Sequence, residues 1–210
     1  MELNIIEKVN IKKINKTFPN YKNVNKSKLQ LTTQGIYSVS GYESAYYLCK
    51  LIEKYFKSKN VIITDGTGNN GSDTIPLALT FTKVNSIELD NTNFKVLENN
   101  VKQYDLKNIF LFNDSSLNLI PNLIQDVIYL DAPWTKNYKE SKVIKLYMDN
   151  KEISELYNEF KIYAKLFIFK VPINYDFTYF IQTTMIKKYY IHSYTNKFND
   201  IKFYFIFAPA

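Results

Sequence analysis

Residues 126–138, DVIYLDAPWTKNY, decide how this chain reads. Val127 to Leu130 form a short run of strand-forming residues that ends abruptly at Asp131, Pro133 and Trp134, the single tryptophan of the chain. A brief apolar run closed by turn residues suits a strand buried on both faces of a parallel sheet. Ligands of such sheets gather outside the carboxyl ends of the strands. A carboxylate and an aromatic plane at a strand end are therefore candidates for chemistry, although a Trp packed on the sheet edge beside a capping Asp would read the same way.

The same rhythm repeats on either side. NVIITDGTGNNGSDTIPLAL (60–79) opens with a strand at Val61–Thr64, breaks into a Gly/Asn loop and resumes with helical spacing. VNSIELD (84–90), NIFLFND (108–114) and KLFIFKVP (165–172) read as further strands, and the last 24 residues as two strands joined by a turn around Asn199 and Asp200. Helices are expected over NTNFKVLENNVKQY (91–104), KEISELYNEFKIYA (151–164) and SGYESAYYLCKLIEKYF (40–56). In the last of these, Tyr47, Leu48, Leu51, Ile52 and Tyr55 share a face, with Ser40 as N-cap and Glu43 completing a capping box. Residues 1–34 are rich in Lys and Asn without a sustained period and read as a basic, partly ordered arm, followed by one domain over 35–210. Alternating strands and helices predict an α/β, doubly wound, Rossmann-like sheet, mostly parallel, with helices on both faces and an antiparallel pair at the C-terminus.

The acids that close the strands are Asp65, Glu88, Asp114 and Asp131. After Asp65, the Gly66, Gly68 and Gly71 loop lets a ligand approach the backbone where a helix begins, although a tight loop without a ligand is an equal reading. Glu88, at the next strand end, has the placement of an acid that hydrogen-bonds a ribose. Asp114 could accept from an adenine amine or simply cap the next segment. At Asp131 the chemistry is more specific. The lone pair of an amine on a base is delocalised into the ring, so the amine must be held with that pair aimed at its electrophile. Asp131 and the carbonyl of Ala132 or Pro133 can accept its N–H bonds, Pro133 stiffens the loop, and Trp134 offers a stacking face.

These residues together resemble the class I S-adenosylmethionine-dependent methyltransferases, and most closely the RNA cap guanosine-N2 methyltransferases, or trimethylguanosine synthases. The resemblance runs over about residues 35–180 through GIYSVS, DGTGNNGSDTIPLAL, NSIELD, NNVKQY, DAPWTKNY and FKVPINYD. It implies a seven-stranded sheet and S-adenosyl-L-methionine held by Asp65, Gly66, Gly68, Gly71, Glu88 and Asp114. It also implies reaction at Asp131, Pro133 and Trp134, with substrate contacts from Trp134, Tyr138, Lys136, Asn174 and Ser38. The implied substrate is the N2 of a 7-methylguanosine cap. Asn69 stands where the family usually has glycine. Asp131, Ala132, Thr135 and Lys136 depart from its Ser-Pro-Pro-Trp-Gly-Gly pattern, and the aspartate is more typical of adenine-N6 methyltransferases. Adenine-N6 methylation, protein glutamine methylation, and an inactive methyltransferase fold that binds RNA or a partner therefore stay open.

Composition narrows the setting. The net charge of +7 comes from lysines spread along the chain and would attract a polyanion such as RNA, although an AT-biased genome would also enrich lysine. With Cys49 as the single cysteine there is no internal disulfide and no thiolate zinc cluster, and no metal is expected. No secretory signal or membrane span is evident, so a soluble cytoplasmic protein is expected, a monomer or loosely associated with RNA-processing proteins. His192 and Cys49 read as structural.

Overall fold

In the computed structural model, residues 4–5, 10–22, 24–135 and 137–210 are described, and the strands fall on the apolar runs. The main sheet is seven-stranded, mostly parallel and accompanied by helices, so the α/β class holds. The chain divides into two units, Met1–Asn122 and Leu123–Ala210.

The first unit runs α1 (Ile11–Thr17), α2 (Gly35–Ser38), α3 (Tyr42–Phe56), β1 (Ile62–Asp65), α4 (Thr74–Thr80), β2 (Lys83–Ile87), α5 (Asn91–Tyr104), β3 (Ile109–Phe112) and α6 (Ser116–Leu119). β2 is central and pairs in parallel with β1, Asp65 opposite Ser86, and with β3, Ile87 opposite Phe112. Parallel neighbours need crossover connections, and α4 and α5 supply them. The shared register brings the carboxyl ends of all three strands to one edge. α5 starts where Asp90 accepts hydrogen bonds from the N–H groups of Thr92 and Asn93.

Two local expectations differ. α3 is capped at Gly41 rather than Ser40, with no side-chain cap, and the carbonyl of Lys16 lies 3.1 Å from where a Cβ on Gly41 would stand. Its buried stripe runs through Ala45, Leu48, Cys49 and Ile52, while Tyr55 is exposed. Small residues on that stripe permit close approach to α4, and the Cys49 thiol lies 3.6 Å from the Pro76 carbonyl. Within the basic N-terminal stretch, α1 forms although the sequence shows no period there. Its N-cap Asn10 accepts from Lys12 N–H. Ile14, Phe18, Leu29 and Leu31 are buried in one cluster with Ile75, Leu97, Val101 and Tyr104.

The second unit runs β4 (Val127–Leu130), β5 (Tyr147–Met148), β6 (Lys151–Glu152), α7 (Ile153–Phe160), β7 (Leu166–Val171), α8 (Phe177–Thr184), β8 (Tyr190–Thr195) and β9 (Ile201–Pro209). Its part of the main sheet has the order β4-β7-β9-β8, with β4 and β7 parallel and β9 antiparallel to both neighbours. β5 and β6 form a separate two-residue hairpin, turned by Asp149 and Asn150, both at positive φ. Glu152 opens α7 in a capping box with Glu155, and its other oxygen accepts from the Tyr175 hydroxyl at 2.7 Å.

Candidate active site

The first unit presents a loop at the carboxyl end of β1. Asp65 is fully buried and ties the loop together, accepting from Thr74 Oγ1 at 2.6 Å and from Thr67 N–H at 3.2 Å. Gly68 N–H donates to the Ile87 carbonyl at 2.8 Å. A Cβ at Gly68 would lie 2.5 Å from Ser86 Oγ and 3.0 Å from Leu97 Cδ2, so glycine is what lets the loop lie on β2. Gly71 has φ +90°. Asn69 sits at φ +46°, a left-handed conformation that Asn tolerates better than most side chains.

Glu88 follows β2 and faces this loop. Its Oε2 accepts from Asn69 N–H at 2.7 Å and its Oε1 from Asp90 N–H at 2.9 Å. Burial holds its carboxyl above the ordinary range, against the pull of those donors. The Asn93 side chain also hydrogen-bonds this carboxylate, and the acceptor capacity left over could take a ligand hydroxyl. Beside it Leu89 is 62% exposed, an apolar surface at the same strand end. Ser38, at the end of α2, accepts from Asn69 Nδ2 at 3.1 Å, while Asn69 Oδ1 is buried with no partner among the described residues. Asp114 is exposed and accepts from Ser115 N–H at 2.6 Å and Asn118 Nδ2 at 3.1 Å, a local turn. Its neighbour Ser116 donates its hydroxyl to the Gly66 carbonyl.

The second unit carries the loop after β4. The pairing of Leu130 with Phe169 sets Asp131 beside Lys170, whose Nζ donates to Asp131 Oδ2 at 2.6 Å. The Lys170 side chain is 3% exposed and that of Asp131 22%. Ala132 is buried and Pro133 exposed. Trp134 is half-buried, with its ring edge-on to Tyr138 at 5.0 Å and to Phe203 at 6.4 Å between centroids. Its Nε1 is buried without an acceptor among the described residues. Asn174 donates to the Tyr138 and Ser141 carbonyls at 2.6 and 2.8 Å, and its Oδ1 is likewise buried and unpartnered among the described residues. A cavity of about 380 Å³ opens beside this turn, lined in part by Tyr138, Lys139, Ser141, Asn174 and Lys202. Lys136 lies outside the described residues. Among the described residues no group of His, Cys, Asp and Glu is placed to hold a metal, and no helix is long and apolar enough to cross a membrane.

Residues 60–207 match the family described as RNA cap guanine-N2 methyltransferase. The chain belongs to that family. It is 33% identical to protein L320 of Acanthamoeba polyphaga mimivirus over 144 residues, 66% of this chain and 56% of that protein. In solved structures its fold is similar to a protein described as a methyltransferase from Porphyromonas gingivalis W83, with TM-score 0.62, 16% identity, and coverage of 82% of this chain and 41% of that one. It is also similar to one described as a class I S-adenosylmethionine-dependent methyltransferase from Listeria monocytogenes, with TM-score 0.55, 17% identity, and coverage of 80% and 59%. The chain thus spans about half the length of these relatives.

In this member of the RNA cap guanine-N2 methyltransferase family, the loops are legible in the sequence and the groups that fix them are not. Asn70 Oδ1 accepts from Thr32 N–H at 3.0 Å, its Nδ2 donates to Asn93 Oδ1 at 3.2 Å, and Asn100 Nδ2 donates to the Asn70 carbonyl at 2.9 Å. All three asparagines are buried. A Cβ on Gly35 would stand 1.9 Å from Asn70 Oδ1, so Gly35 is part of the same lock. Asn113 Nδ2 donates to the Glu88 and Leu89 carbonyls at 2.8 and 3.2 Å, holding the strand end. In the sequence these asparagines merge into a general Asn richness. Lys170 left a clearer signal, a lysine in the otherwise apolar run LFIFKV.

Proposed function

We propose that this chain transfers a methyl group from S-adenosylmethionine to an exocyclic amine of RNA, with the N2 of a 7-methylguanosine cap as the favoured target. The observation that carries the reading is the loop after β4, where a paired carboxylate and a tryptophan face stand together in a chain of the RNA cap guanine-N2 methyltransferase family. The first unit fits the cofactor. Glu88 would accept from its ribose hydroxyls, Leu89 would border its adenine, with Asp114 as an acceptor for the adenine amine. Asn69 Oδ1, buried and without a partner among the described residues, would accept from its ammonium, and Asp65, Gly66, Gly68 and Gly71 would shape the loop around its methionine end. S-adenosylmethionine supplies an electrophilic sulfonium methyl. On the substrate side, Asp131 and the carbonyl of Ala132 or Pro133 accept the N–H bonds of the amine and so aim its lone pair. Trp134 fixes the plane of the base beside Pro133, and Tyr138, Asn174, Lys136 and Ser38 are proposed as further substrate contacts on the strength of the family resemblance.

The test is transfer of a labelled methyl to three matched short RNAs: 7-methylguanosine-capped, capped without that methyl, and uncapped. Incorporation is expected only into the first. Trp134→Ala should weaken the reaction by about 1–3 kcal/mol, the usual worth of stacking a base on an aromatic side chain. Incorporation regardless of cap would move the target to an internal base, with adenine-N6 favoured by Asp131. No incorporation with intact cofactor binding would defeat the cap reading, and no cofactor binding would favour an inactive RNA- or partner-binding fold.

A further inference from the structure

We infer that Lys170 is a positioning residue that sets Asp131 and Trp134 in one geometry. The inference rests on the amine-methylating role proposed for the loop after β4. All six residues of β7 are buried, and an ammonium in such a strand is costly unless an anion meets it. The parallel register delivers that anion: Leu130 opposes Phe169, so the next residues, Asp131 and Lys170, stand side by side and join at 2.6 Å. With Oδ2 held by a buried cation, the carboxylate keeps one rotamer and stays an acceptor, the state needed to orient an amine N–H.

The same ammonium has a second contact. Lys170 Nζ lies 5.1 Å from the centroid of Phe203, the ring that meets Trp134 edge-on. Phe203 is itself held by Tyr194, stacked at 4.9 Å, and by Phe205 at 5.4 Å. One cation from β7 thus touches the carboxylate that would hold the amine and the ring that backs the base-stacking plane. Its low exposure keeps it from serving the substrate directly.

The experiment compares Lys170→Met and Lys170→Arg in the full chain. Trp134 is the only tryptophan, so its emission and its quenching by acrylamide report the position of the ring without any substrate. Lys170→Met should raise the quenching and lower kcat by about 10–100-fold, with KM for RNA and cofactor affinity near wild type, as expected when aligned groups shift by about an ångström. Lys170→Arg, which restores the charge, should recover both in part. Wild-type quenching and kcat in Lys170→Met would overturn the inference. If Lys170→Met does not fold, Phe203→Leu removes the ring between Lys170 and Trp134 while leaving the ion pair, and unchanged quenching in that variant would overturn it equally. If the wild type methylates no RNA, the function reading fails, and the quenching series still decides the role of Lys170.

Discussion

At the residue scale, the Asp131–Lys170 pair is asymmetric. Asp131 is partly exposed and Lys170 is nearly fully buried, so losing the acid takes from a buried ammonium the carboxylate it meets, while losing the lysine leaves a carboxylate that can hydrate. Asp131→Ala is expected to cost about 3–5 kcal/mol of stability and Lys170→Met less. The double variant should be more stable than Asp131→Ala alone, as urea unfolding would show. Glu88 makes a pH prediction. Burial raises its carboxyl above the ordinary glutamate value of 4.5. Between 4.5 and the folded value the native protein holds a proton that the unfolded chain has lost, so stability falls as pH rises through that window. Ribose hydroxyls donate to the ionised form, so cofactor affinity should tighten over the same rise. Calorimetric titration of S-adenosylhomocysteine from pH 4.5 upward checks this, and Glu88→Gln should bind weakly with a flat profile. Both residues were legible as strand-end acids. Their partners were not, since Lys170 lies 39 residues from Asp131 along the chain.

At the scale of elements, the loop between β1 and α4 is a close-fitting piece rather than a flexible glycine hinge. Gly68→Ala would drive a methyl into Ser86 and Leu97, a clash expected to cost about 1–3 kcal/mol, seen as a lower melting temperature together with weaker S-adenosylhomocysteine binding. The GTGNNG spacing was readable in the sequence, but its meaning shifts in the structure. Gly68 serves the contact with β2, and Asn70 serves the buried amide network with Asn93 and Asn100. α1 was not readable at all. Its seven residues bury only Ile14 and Thr17, too few to set a period, and the apolar cluster that includes Ile75 and Leu97 gives the helix its reason to form.

At the scale of the whole molecule, the +7 charge bears on RNA affinity. Capped-RNA binding measured by anisotropy should weaken with added salt, with a log–log slope of about −2 if three phosphates of a single strand are neutralised. A flat salt dependence would show that the charge has no part in binding. The sequence by itself determined the α/β class, the order of the main strands and helices along the chain, and the strand-end loops where chemistry is expected. These follow from apolar period and from the acids and glycines that punctuate it, and such signals are local. Tertiary structure alone decided which residues hold those loops: Lys170 against Asp131, Asn174 against the turn at Tyr138, Ser38 and Glu88 against Asn69. Each is a contact between segments separated along the chain, made where a charge or an amide finds a partner, and no local pattern names the partner it will meet.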